Sequence, residues 1–97
     1  MRYTFQWDPI KAKENLRKHR ISFDRAVEVF LDPLAISIFD EEHSEQEERW
    51  VSLGKDRRGS VLILIHTFLP VSAGERKIRI ISARKANKRE ARQYEEI

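Results

Sequence analysis

Cysteine is absent from the 97 residues, so no disulfide and no thiolate metal site can form, which fits a reducing cytoplasm. Glycine and proline number only three each, nothing repeats, and no linker or low-complexity segment interrupts the chain. Long apolar runs are missing as well. The longest, Val61 to Ile65, falls far short of a membrane span, and Met1-Arg2-Tyr3 leads into strand-like sequence without a signal-peptide core. There is no phosphate-cradling glycine loop and no Gly-x-Ser-x-Gly, and the histidines His19, His43 and His66 never stand at i, i+4. These absences leave one small domain spanning residues 1–97, expected to be soluble and intracellular.

Charge is what the chain has in quantity, and it is unevenly placed. Nineteen Lys and Arg oppose sixteen Asp and Glu for a net +3. Asp40 to Glu48 holds six of the acids and no Lys or Arg, so the rest of the chain carries 19 − 10, or +9. That division predicts a polyanion-binding surface and a separate acidic loop. The C-terminal stretch from Ile78 to Tyr94 alternates first, like a strand. It then changes to helix formers with cations at Arg84, Lys88 and Arg92 and at Lys85 and Arg89, spaced to share one helical face. A solvated terminal helix is the plainer reading of the same residues.

In chain order, Tyr3 to Trp7 reads as a strand, and Asp8-Pro9 opens a helix that runs to His19. Asn15 is a poor helix former at mid-helix, so its amide is expected to bond to something nearby. Ser22 caps a second helix with the stripe Phe23, Ala26, Val27 and Phe30, stopped by Asp32-Pro33. Strands are expected at Ala35–Phe39, Arg49–Leu53, Ser60–Phe68 and Arg76–Ala83, with Leu69 to Glu75 a loop and a terminal helix from about Asn87. The result is an α+β fold with a mainly antiparallel sheet of four or five strands, two N-terminal helices and a C-terminal helix. In the last strand Ile78, Ile80 and Ser82 should share one face, and Arg79, Ile81 and Ala83 the other.

Among the histidines, His66 ends a central strand and reads as structural. His43 stands among Glu41, Glu42, Glu45 and Glu47, where a divalent ion could bind weakly, although acidic loops are commonly just solvated. His19 follows Lys18 at a helix end, either as a titrating partner of the ammonium or as a helix-dipole cation.

The ordered motifs Trp7-Asp8-Pro9-x-Lys11-Ala12-x-x-Asn15-x-x-Lys18-His19 and Ser22-Phe23-x-x-Ala26-x-x-Val29-Phe30-x-Asp32-Pro33 resemble BrnT toxins of type II toxin–antitoxin systems. So do Glu48-Arg49-Trp50-x-x-x-Gly54 and Ile78 to Ala86 with Arg89 and Tyr94. The resemblance implies a RelE-like fold, a metal-independent ribonuclease that needs no cofactor and stops growth, and a BrnA-type antitoxin. That partner is a ribbon-helix-helix DNA binder, expected in a 2:2 hetero-oligomer through which promoter DNA is engaged. One departure is plain: the family has glycine after Lys-His, where this chain has Arg20. A left-handed backbone there would cost a non-glycine residue about 1 kcal/mol.

RNA carries its own nucleophile, the 2′-OH, so such an enzyme must align it, stabilise charge on the phosphate and move two protons. Arginine forks match phosphate oxygens, which makes Arg49, Arg79 and Arg84 the clamp candidates. Lys18 and His19 are the acid–base candidates. Lys85, Lys88, Arg89 and Arg92 would follow the RNA backbone, and Tyr94 or Trp50 could stack a base. The competing reading is a non-catalytic basic module that binds antitoxin or nucleic acid.

Overall fold

Alternating large and polar residues do make the first strand: β1 spans Arg2–Gln6 in a computed structural model whose described residues are 2–96. Asp8 then caps α1, Pro9–His19, its carboxylate accepting from the Ile10 N–H at 2.9 Å. Ser22 caps α2, Phe23–Ala26, accepting from the Arg25 N–H at 3.1 Å. The second helix is shorter than its stripe predicts, because it tightens into a 3-10 turn over Val27–Leu31. Three residues per turn bring Val29 beneath Ala26, so Val29 is buried where Val27 was expected.

The strands β2 (Ile36–Phe39), β3 (Arg49–Lys55), β4 (Val61–Thr67), β5 (Leu69–Ser72) and β6 (Glu75–Lys85) follow, and α3, Lys88–Glu95, closes the chain. The sheet has six strands in the order β1-β6-β4-β3-β2, with β5 also on β6. Its pairs are antiparallel except β1 with β6, so the sheet is mixed. The sixth strand is β5, read from the sequence as a loop because of Pro70 and Gly74. Proline is tolerated on an edge strand, and Gly74, at φ 84°, turns the chain back into β6. β6 also runs on through Arg84 and Lys85, so these two cations belong to a strand and not to the basic helix face.

A bulge in β6 corrects the expected facing. Ile65 pairs with Ser82 and His66 with Ile80, which leaves Ile81 as the extra residue. Alternation is broken there, and Ala83 joins Ile78 and Ile80 in the core. With Leu62 and Leu64 they pack against Ile21, Phe23, Ala26 and Val29 from the helical side. The opposite sheet face is covered in part by α3, where Tyr94 packs with Leu53 and Ile63. Gly54 is required by packing: a Cβ there would lie 2.7 Å from Val29 Cγ1 and 3.0 Å from Ala35 Cβ.

Candidate functional site

Cross-strand register decides where the arginines point. Arg49 stands opposite Thr67 and Arg84 opposite Ile63, so both lie on the face that α3 partly covers. Arg79 alternates with the core residues Ile78 and Ile80 and therefore faces the same way. Its backbone N–H donates to Thr67 Oγ1 at 3.1 Å, at the Arg49 end of β4.

Arg49 and Arg79 meet on one carboxylate. Arg79 Nη2 donates to Glu47 Oε1, and Arg49 Nη2 lies 3.9 Å from the same oxygen. A groove of about 520 Å³ opens beside them, lined by Glu47, Glu48, Thr67, Phe68, Lys77 and Arg79 among others. Arg84 is roughly 13 Å further along the sheet, four residues at ~3.3 Å each. It makes a two-pronged bond to Glu90 at 2.7 and 2.8 Å. Glu90 also completes the capping box of α3 with Asn87. The Arg84 fork, opposed by desolvation, holds the Glu90 carboxyl down to about 2, and Glu90 raises Arg84 in return.

Lys18 and His19 are elsewhere. They line a cleft of about 280 Å³ on the α1 side of β6, with Lys11, Asn15, Ile81 and Ser82. None of the three candidate arginines lines it. Asn15 behaves as its mid-helix position suggests, donating to the carbonyls of Ile21 and Ala83 at 2.9 and 2.8 Å. Arg20 takes up the left-handed backbone at φ 62°, ψ 23°, with its N–H on the Leu16 carbonyl at 2.9 Å.

Lys85, Lys88, Arg89 and Arg92 are exposed at the end of β6 and along α3. Tyr94 is not with them. Its ring is buried against the sheet, and its hydroxyl donates to Asp32 Oδ2 at 2.5 Å. That geometry makes it a packing residue instead of a base-stacking platform. The bond to Asp32, helped by burial, pushes the hydroxyl up to about 12. Trp50 sits between Phe39 and Phe68, with ring centroids at 5.4 and 6.1 Å.

His66 is structural, as its strand position suggests. Nδ1–H donates to the Thr67 carbonyl at 2.8 Å, so Nε2, 2.6 Å from Ser52 Oγ, accepts from that hydroxyl. Burial lowers this imidazole and keeps it neutral, against a smaller opposing pull from the Thr67 carbonyl.

The acidic loop is what sequence reasoning misplaced. It is not separate from the basic surface but folded against it through Glu47. The Asp40 N–H donates to the Arg49 carbonyl at 2.9 Å, Ser44 Oγ donates to the Asp40 carbonyl, and the Arg49 N–H donates to Ser44 Oγ at 3.0 Å. His43 Nδ1 lies 2.9 Å from Asp40 Oδ2. The available signal was a serine and a histidine set inside the acid run. Among the described residues no group of three His, Asp or Glu is placed to hold a metal ion, and no helix is long and apolar enough to cross a membrane.

Three arginines on one face of a mixed sheet, with a carboxylate loop folded onto two of them, define a basic α+β domain with an ion-paired open face. A family model described as the ribonuclease toxin, BrnT, of type II toxin–antitoxin systems matches residues 7–90. The chain belongs to that BrnT toxin family. Among solved structures, the Brucella abortus ribonuclease toxin, BrnT, is similar with a TM-score of 0.63 at 22% identity, covering 91% of this chain and 100% of that one. That likeness bears on the fold. No curated protein matches significantly.

Proposed function

We propose that this chain is a metal-independent endoribonuclease that cuts RNA by attack of the 2′-OH on the adjacent phosphate, inhibiting translation and growth. The observation that carries the reading is the convergence of Arg49 and Arg79 on a single oxygen of Glu47. Two guanidinium groups gathered on one carboxylate oxygen are equally able to gather on a phosphate oxygen, where their forked donors stabilise the extra charge of the transition state. Arg84 serves a phosphate further along the strand, and Lys85, Lys88, Arg89 and Arg92 extend the cationic track. Lys18 and His19 contact RNA from the α1 side of β6.

Family membership supports an antitoxin partner. We assign it as a BrnA-type ribbon-helix-helix protein in a 2:2 complex, with promoter DNA bound only through the antitoxin. Purified without it, the protein should cleave RNA in EDTA and leave 2′,3′-cyclic phosphate and 5′-hydroxyl ends. Arg79→Ala should lower the rate roughly a hundredfold, the effect of losing one charge stabiliser in a transition state. Cleavage that requires magnesium would overturn the metal-independent mechanism, and RNA binding with no cleavage either free or on ribosomes would leave only a basic binding module.

A further inference from the structure

Proton transfer has no partner in the arginine groove if Lys18 and His19 are its agents, because they line a different cleft. The geometry points to Glu47 as general base and His43 as general acid, both presented by the folded Asp40–Glu48 loop; the inference rests on the ribonuclease reading. His43, Glu47 and Arg49 line one groove of about 310 Å³. Glu47 and Arg79 line the neighbouring groove of about 520 Å³, so Glu47 stands in the wall between the two.

Each member is held for its task. The Asp40 carboxylate fixes His43 through Nδ1, which leaves Nε2 of a side chain that is 64% exposed to meet a substrate. The Asp40 N–H on the Arg49 carbonyl and the Arg49 N–H on Ser44 Oγ tie the loop to β3, and the bond from Ser44 Oγ to the Asp40 carbonyl braces its turn. Both arginines contact Oε1 of Glu47, so Oε2 is the oxygen left to take a proton. The Glu47 carboxylate also marks where a phosphate would sit. When RNA enters, its phosphate oxygens take over the arginine forks and the carboxylate is released beside them.

The reaction then balances without a further reactant. The 2′-OH proton passes to Glu47 as the O2′–P bond forms. The P–O5′ bond breaks as the His43 imidazolium gives its proton to O5′, yielding the cyclic phosphate and a free 5′-hydroxyl. The charged groups facing the pair are Glu42, Glu45, Asp40 and Glu48 from the loop, Arg49 from β3, and Lys77 and Arg79 from β6.

The test compares wild type, Glu47→Gln, His43→Gln and the loop control Glu41→Gln, each checked for an unchanged melting transition. Glu47→Gln keeps an acceptor for the arginines but cannot take a proton. It should lose roughly 10²–10⁴-fold in rate, together with the acid limb of the pH–rate profile. His43→Gln should lose a similar factor and the alkaline limb. On uridine 3′-(4-nitrophenyl phosphate), whose leaving group needs no proton, His43→Gln should recover to within about tenfold of wild type while Glu47→Gln stays impaired. Glu41→Gln should cut RNA like wild type. If wild type cleaves RNA and both groove variants remain within threefold of it, the pair is wrong and the ribonuclease reading stands. Rate loss with unchanged pH limbs and no recovery on the activated substrate also overturns it, as a merely structural effect. A wild type that cuts nothing takes both readings down, and that failure is told apart by the wild-type lane alone.

Discussion

The side chain of Asn15 occupies both backbone hydrogen-bonding groups of Ala83, donating to its carbonyl at 2.8 Å and accepting from its N–H at 3.1 Å. An amide has the same donor and acceptor pair as a peptide unit, so Asn15 stands in for a strand neighbour where β1, paired only as far as Arg79, no longer flanks β6. Its second amide hydrogen goes to the Ile21 carbonyl, which fixes the turn after α1. Asn15→Leu strands three buried backbone groups and should cost about 3 kcal/mol, measured by urea unfolding. A cost below about 1 kcal/mol would mean that water replaces the amide.

Arg20 should be replaceable with profit to stability. It is the non-glycine residue with positive φ among the described residues, at 62°. Arg20→Gly removes the Cβ strain and should raise stability by about 1 kcal/mol, whereas Arg20→Ala, which keeps a Cβ, should gain nothing. Thermal melts of the two variants against wild type decide the point. Equal melting temperatures for the glycine and alanine variants would show that the left-handed turn is unstrained.

The attachment of α3 should be sensitive at both ends of the pH scale. Glu90 has its carboxyl depressed from 4.5 to about 2 by the Arg84 fork, so its contribution is present above about 4.5 and is lost as pH falls towards 2. Tyr94 is raised from 10.0 to about 12, chiefly by its bond to Asp32, so its contribution is present below pH 10 and is lost as pH rises through about 12. Glu90→Gln should flatten the acid side of a melting-temperature profile, and Tyr94→Phe the alkaline side. Each should also lower stability near neutrality, by about 1–2 kcal/mol, because a bond to a charged partner is lost. An unchanged profile in either variant would detach that residue from the joint.

RNA binding should weaken steeply with salt, because each neutralised phosphate releases counterions. Reversing Arg89 and Arg92 to glutamate should weaken binding and reduce the slope of log K against log salt more than reversing Lys13 and Arg17 on α1. Equal slopes from the two pairs would remove α3 from the RNA path. His19→Ala should change the cleavage rate by less than about threefold, since its cleft is apart from the arginines; a hundredfold loss would return acid–base duty to it.

Much of this could be read in the chain, for reasons tied to particular residues. Asp8 and Ser22 announce helix starts by chemistry that acts over two or three positions and cap as expected, and Asn87, about where the terminal helix was expected to begin, proves to be its cap. The class followed from helices that precede and follow a run of strands, and the antiparallel core from the short links between those strands. What escaped was set by distant partners. The bulge at Ile81 depends on how β4 and β6 meet, so the facing of Ala83 could not be counted along β6 alone. β5 hid behind a proline that only an edge position tolerates. Arg49, Arg79 and Arg84 were clamp candidates as arginines within the motifs that resemble the family, but their shared face depends on the register with Thr67 and Ile63. Glu47 was lost in a run of acids because nothing local distinguishes the one that folds onto Arg79.

The parallel pairing of β1 with β6 sets the order in which the protein can come into being. Arg2 pairs with Glu75, 73 residues on in sequence, and Gln6 with Arg79, so β1 has no partner until β6 has been made. During synthesis at about 5–20 residues per second, Tyr3 and Phe5 wait several seconds beside an unfinished core. Arg79 meets Glu47 across a shorter separation of 32 residues. A nascent chain therefore has neither a closed sheet nor a completed arginine pair until β6 has been made.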